Sequence, residues 1–135
     1  MPRAERRLAL RALGWLALMR IALRVVPFAW IRGWIDRTAR PPAPLHDGWP
    51  LAVRRAVQRA ARTFPGSRCL ARALAAEKLL REGGHETTLT IGVAKGDPGS
   101  PPLDAHAWVE SRGFVVAGDG ELERYATLVR FESGA

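Results

Sequence analysis

Cys69 is the only cysteine in the chain, and it stands in Pro65-Gly66-Ser67-Arg68-Cys69-Leu70, a turn-forming stretch that leads into a helix-patterned run. A thiol in the first turn of a helix lies where unpaired backbone N–H groups and the positive end of the helix dipole favour the thiolate, the form that attacks carbonyl carbon. The base such a nucleophile needs is offered by His106, in Ala105-His106-Ala107-Trp108-Val109-Glu110, an alternating run that reads as a strand. If Arg112-Gly113 form the centre of a hairpin turn, Ser111 pairs with Phe114, and counting outward along both strands sets Asp119 opposite His106. A carboxylate there orients the ring and fixes its tautomer while the imidazole draws the proton from the thiol. A slip of one residue would send Asp119 to the other face, and Asp104, two residues before His106, is then the alternative orienting acid. Each residue also has a plain structural reading: a small buried hydrophobe for Cys69, a satisfied strand histidine for His106, and a turn former for Asp119 between Gly118 and Gly120.

The elements that must position these groups are legible from periodicity. Leu8, Ala12, Trp15, Leu16, Met19, Leu23 and Val26 recur at steps of three and four, which predicts a helix from about residue 3 to 26 with one apolar stripe. Leu10, Leu13, Ala17 and Ile21 add a second apolar side, so this helix is either buried on two sides or offers a surface to a partner. Pro27 ends it, a short aromatic helical piece follows, and Arg40-Pro41-Pro42-Ala43-Pro44 reads as an extended connector. Another helix opens at Trp49-Pro50. The cysteine helix runs from about Arg68 to Glu82, with Ser67 as N-cap and Gly83-Gly84 as its stop. The period then switches to two: strands are predicted from Thr87 to Val93, Ala105 to Glu110 and Phe114 to Ala117. Helices first and an antiparallel sheet second give an α+β order.

The 135 residues fit one domain. One cysteine permits no internal disulfide and no zinc-type cysteine pair, and a reducing, cytoplasmic setting is the simplest reading. The net charge of +8 is uneven: residues 1–40 hold 9 basic against 2 acidic residues, whereas residues 69–135 hold 7 against 10. That asymmetry suits an acidic partner or an anionic membrane surface. It does not suit nucleic acid, since the arginines are spaced among Leu and Ala instead of being grouped with stacking aromatics. The apolar run from Ala12 to Met19 is too short to span a membrane, which leaves only peripheral contact open, and Arg20-Ile21-Ala22-Leu23-Arg24 after it is no signal-cleavage site.

Four blocks together carry a family resemblance: Ser67-Arg68-Cys69-Leu70-Ala71-Arg72-Ala73-Leu74, Leu79-Leu80-Arg81-Glu82-Gly83-Gly84, Leu89-Thr90-Ile91-Gly92-Val93 and Ala105-His106-Ala107-Trp108-Val109-Glu110. In this order and spacing they resemble the leader peptidase of lasso-peptide biosynthesis, a member of the transglutaminase-like cysteine protease superfamily. The resemblance covers about residues 50–125. It implies a transglutaminase/papain-like core over residues 46–135, with Cys69 as nucleophile, His106 as base and Asp119 as orienting acid. Members often carry Asn before the acid, where this chain has Gly118. The resemblance further implies the split form of the enzyme: a separate leader-recognition protein holds the leader of the precursor peptide, this chain cuts it, and a macrolactam cyclase closes the freed core. No metal, nucleotide or other cofactor is implied. Residues 1–45 match only in general style and are expected to form a helical region that docks the leader-bound partner. An acyl transferase on the same triad and a non-catalytic binding module are the rival classes.

Overall fold

In the computed structural model, which describes residues 3–38, 48–63, 69–95, 103–118 and 125–132, the long apolar period of the N-terminal segment forms α1 (Arg3–Val25). Pro27 separates it from α2 (Phe28–Thr38), and α3 (Trp49–Thr63) and α4 (Cys69–Glu82) follow. Four strands follow among the described residues: β1 (Thr88–Lys95), β2 (Leu103–Ser111), β3 (Phe114–Ala117) and β4 (Ala126–Glu132). They form one antiparallel sheet in the order β3-β2-β1-β4. The fold is therefore α+β, four helices followed by a small antiparallel sheet. β4 is the element that the sequence reading does not assign. The boundary expected near residue 45 lies outside the described residues, and among those described no helix is long and apolar enough to cross a membrane.

α4 is the centre of the packing. It touches α1, α2, α3, β2 and β3, and ten of its residues are buried. Ala71, Ala73, Ala75 and Ala76 keep it slim enough for neighbours to approach on several sides, while Leu74, Leu79 and Leu80 fill the gaps. Facing them are Leu8, Ala12, Leu16 and Met19 of α1 and Val53, Ala56, Val57 and Ala60 of α3, and from the sheet Leu89, Ala107, Val109 and Val116. Each such Leu, Val or Met contributes roughly 1.5–3 kcal/mol by burial. The helix ends as Gly83-Gly84 require: Gly84 has φ 78, its N–H donates to the Arg81 carbonyl at 3.1 Å and that of His85 to the Leu80 carbonyl at 3.0 Å, a Schellman termination.

A polar network ties α2 and α1 to this helix. Glu77, fully buried, accepts from the Arg32 guanidinium and from Thr87 Oγ1 at 2.9 Å, and Arg32 also lies over the Phe131 ring of β4. One turn on, Arg81 pairs with Asp36 at 2.8 Å, Lys78 Nζ donates to Thr38 Oγ1 at 2.6 Å, and Arg11 of α1 pairs with Glu82. The Lys78 ammonium also sits over the Trp34 and Trp15 rings, 4.7 and 5.4 Å from their centroids.

Burial pushes the Lys78 ammonium below its ordinary value of 10.5, and Arg11 and Arg81 push it the same way. Between that lowered value and 10.5 the unfolded chain binds the proton that the folded chain has lost, so this residue's contribution to stability rises with pH across the window. The urea midpoint of the wild type, measured relative to a Lys78→Met variant, is expected to climb as pH is raised through that interval. A flat difference would contradict the assignment.

Candidate active site

Cys69 is the first residue of α4 and is only partly buried. The proposed cap Ser67 lies outside the described residues, but the helix start itself leaves the first N–H groups of α4 without intrahelical acceptors. The Cys69 sulfur accepts a hydrogen bond from the Ala107 backbone N–H at 3.4 Å. That contact joins the head of the helix to β2 at the residue next to His106. β3 pairs only with Val109, Glu110 and Ser111, so β2 before Val109 is uncovered on that side among the described residues, and it is at this stretch that the sulfur meets the strand.

His106 Nε2 lies 2.5 Å from the Gly118 carbonyl oxygen. A carbonyl only accepts, so Nε2 carries a proton, and in the neutral ring Nδ1 is then the basic nitrogen. The ring is further held by Trp108, stacked at 5.9 Å between centroids, and by Tyr125 at 5.2 Å. The Trp108 indole N–H is in turn anchored on the Glu110 carboxylate at 3.1 Å. Gly92 stands opposite His106 on β1, and its missing side chain makes room for these rings: a Cβ there would lie 2.9 Å from Tyr125 Cβ and 3.0 Å from Trp108 Cη2.

The hairpin register departs from the simple count. Arg112 and Gly113 both have positive φ, 53 and 81, as a two-residue turn of this hand demands, and Ser111 pairs with Phe114 as expected. After Glu110 and Val115 the ladder bulges: Val109 pairs with Ala117, so Val116 is an extra residue and the outward count from the turn is off by one. Pairing therefore does not set residue 119 opposite His106. Asp119 itself lies outside the described residues, and for Asp104, opposite Ala94 on β1, only the backbone is described.

What the structure brings to the ring is the carbonyl of the residue before Asp119. Gly118 turns out of β3 with φ 87, and a Cβ on it would come within 2.8 Å of Trp108 Cα and Cβ. Sequence reasoning missed this carbonyl, as it missed Tyr125 and Gly92. The available signal was Gly118-Asp119-Gly120, read there for the Asp119 carboxylate or for a turn and not for the Gly118 carbonyl. Asn shares the tolerance for left-handed backbone, yet its Cβ would meet Trp108 here, which accounts for glycine at this position. Gly118→Ala is expected to cost about 2–3 kcal/mol, combining the left-handed penalty with the clash, and to displace the acceptor from His106. Thermal unfolding reads the first effect and the imidazole NMR resonances the second.

A thiol at a helix head, a backbone donor beside it, and on the next residue of β2 an imidazole with one nitrogen committed to a backbone carbonyl are the parts of nucleophilic acyl chemistry. Among the described residues no group of His, Cys, Asp and Glu side chains converges as a metal-binding set. A family model described as the transglutaminase-like superfamily matches residues 15–130, a stretch that contains the second half of α1, all of α2 to α4 and the whole site. Comparison with curated proteins and with solved structures returns no match.

Proposed function

This chain belongs to the transglutaminase-like superfamily, a group of cysteine-protease and acyltransferase-type enzymes, and on that premise we propose that it is a cysteine peptidase that removes the leader from a ribosomally made lasso-peptide precursor. The observation that carries the reading is the contact of the Cys69 sulfur with the Ala107 N–H, which brings the thiol to the strand that holds His106.

In the proposed reaction His106 Nδ1 takes the proton of Cys69, and the sulfur attacks the carbonyl carbon of the leader–core peptide bond. The resulting oxyanion accepts from the Cys69 backbone N–H, a donor that the helix leaves unpaired. On collapse the C–N bond breaks, Nδ1–H protonates the departing amine of the core peptide, and the leader remains on sulfur as a thioester. Water, deprotonated by the same nitrogen, then hydrolyses the thioester and restores the thiol. The Gly118 carbonyl holds Nε2–H throughout and so takes the orienting position, and Asp119, the next residue, is assigned the stabilisation of the imidazolium that forms. The scheme uses no metal and no cofactor.

The partners belong to the same reading: a separate recognition protein that presents the leader, and a macrolactam cyclase that receives the freed core, with the whole assembly in the cytoplasm. Its test is mass spectrometry of precursor incubated with this protein, with and without the recognition protein. A single cut at the leader–core junction is the expected product. Addition of a primary amine decides against the transferase alternative on the same residues: hydrolysis leaves a free leader carboxylate, whereas a dominant leader amide would replace the peptidase reading with acyl transfer.

A further inference from the structure

The side of α1 opposite its buried stripe is apolar and faces solvent. Leu10, Ile21 and Val25 are 68%, 62% and 74% exposed, and the exposed Gly14 continues their three-to-four spacing. From Leu10 to Val25 the stripe runs about 22 Å along the helix. It continues past Pro27, because Leu18 of α1 and Trp30 of α2, the latter 70% exposed, line one groove with Ala22 and Val26. Single exposed leucines are ordinary, but a stripe of this length on one face is not.

The charge around it has one sign. From Arg6 to Ile35 the sequence holds six arginines and no Asp or Glu. Arg11 and Arg32 are engaged inward with Glu82 and Glu77, while Arg6, Arg7 and Arg24 are exposed on α1. A protein partner would have to answer this face with an apolar groove and a negative patch set in register with it. An apolar stripe edged by cations alone needs only an apolar layer beneath diffuse negative charge. That is the interface of an anionic bilayer, where arginine stems reach up to phosphates while Leu, Ile, Val and Trp sink below them.

We propose that this face of α1 and α2 is a peripheral membrane-binding surface for anionic lipid, lying in the interface plane without crossing it. The proposal does not depend on the chemistry at Cys69. Sequence left both a protein-docking role and peripheral membrane contact open for this region, and the proposal takes the second.

Flotation of the full-length protein with vesicles is the test, comparing phosphatidylcholine alone with about one part phosphatidylglycerol in three. The wild type is expected to float with the anionic vesicles at least about tenfold more than with neutral ones, and high salt should weaken it. Ile21→Glu with Val25→Glu should abolish flotation without shifting thermal unfolding, because both side chains already face water. Arg6→Glu with Arg24→Glu should lower it about tenfold or more. Equal flotation with both vesicle types, or an undiminished Ile21→Glu/Val25→Glu variant, would overturn the proposal. So would absence of flotation together with a dimer, or a complex with the recognition protein, that the same variant disperses; the face would then be a protein interface.

Discussion

Cys69→Ala is expected to abolish precursor cleavage, by about 10^4-fold or more, while leaving the fold intact. The magnitude follows from removing the atom that forms the covalent intermediate, since the remaining backbone donors and binding contacts give only the small residual acceleration of a disabled triad. The fold should survive because the side chain is partly exposed and, among the described residues, accepts one weak hydrogen bond, from Ala107, worth at most about 1 kcal/mol. His106→Ala should be nearly as inactive, and combining the two changes should add little, since the pair acts as one unit. Alkylation of Cys69 offers a readout without substrate: the wild-type thiol should react faster with iodoacetamide than the thiol of His106→Ala. Cleavage that persists in Cys69→Ala would remove the basis of the proposed mechanism.

Glu77→Ala should cost about 3–5 kcal/mol and lower the melting temperature by about 10 °C or more. Glu77 is fully buried and answers two donors, Arg32 and Thr87. Its removal strands the Arg32 guanidinium, itself nearly buried, whose pKa burial already lowers, with Asp36 opposing and Arg81 assisting. The asymmetry between breaking and replacing the pair is the sharper prediction. Arg32→Met with Glu77→Leu should recover most of the loss, because no uncompensated charge then remains inside. Denaturant unfolding of the two single variants and the double variant closes the cycle, and a loss below about 1 kcal/mol in Glu77→Ala would show that the buried pair is not the tie described. The consequence for the site is geometric. Glu77 lies two turns beyond Cys69 on α4, so loosening α2 there loosens the helix that carries the thiol.

The sequence determined by itself what depends on neighbours along the chain. The spacing of Leu8, Ala12, Leu16 and Met19 marks the buried face of α1, Gly83-Gly84 ends α4, and alternation marks β1, β2 and the start of β3, because each signal needs only local backbone geometry. Placing Cys69 at a helix head and His106 on a strand was legible for the same reason. β4 carries a fainter version of that pattern, in Thr127, Val129 and Phe131, weakened because as an edge strand it is largely exposed.

Tertiary structure alone decided the rest. The extra residue at Val116 alters the hairpin count, and a bulge leaves no mark in periodicity. The Gly118 carbonyl at His106, and the meeting of Cys69 with Ala107 across 38 residues, each take one partner from backbone atoms that every residue possesses, so the residue types at 107 and 118 do not reveal them. Arg32, Glu77, Lys78 and Arg81 read locally as solvent-facing charges, yet α4 is enclosed on several sides and these residues find partners about 40 residues away. Periodicity records which side of an element is apolar. Whether a polar group on another side meets water or a buried counter-charge is settled only when the elements pack, and it is that packing which left one apolar stripe of α1 in the core and the other facing solvent.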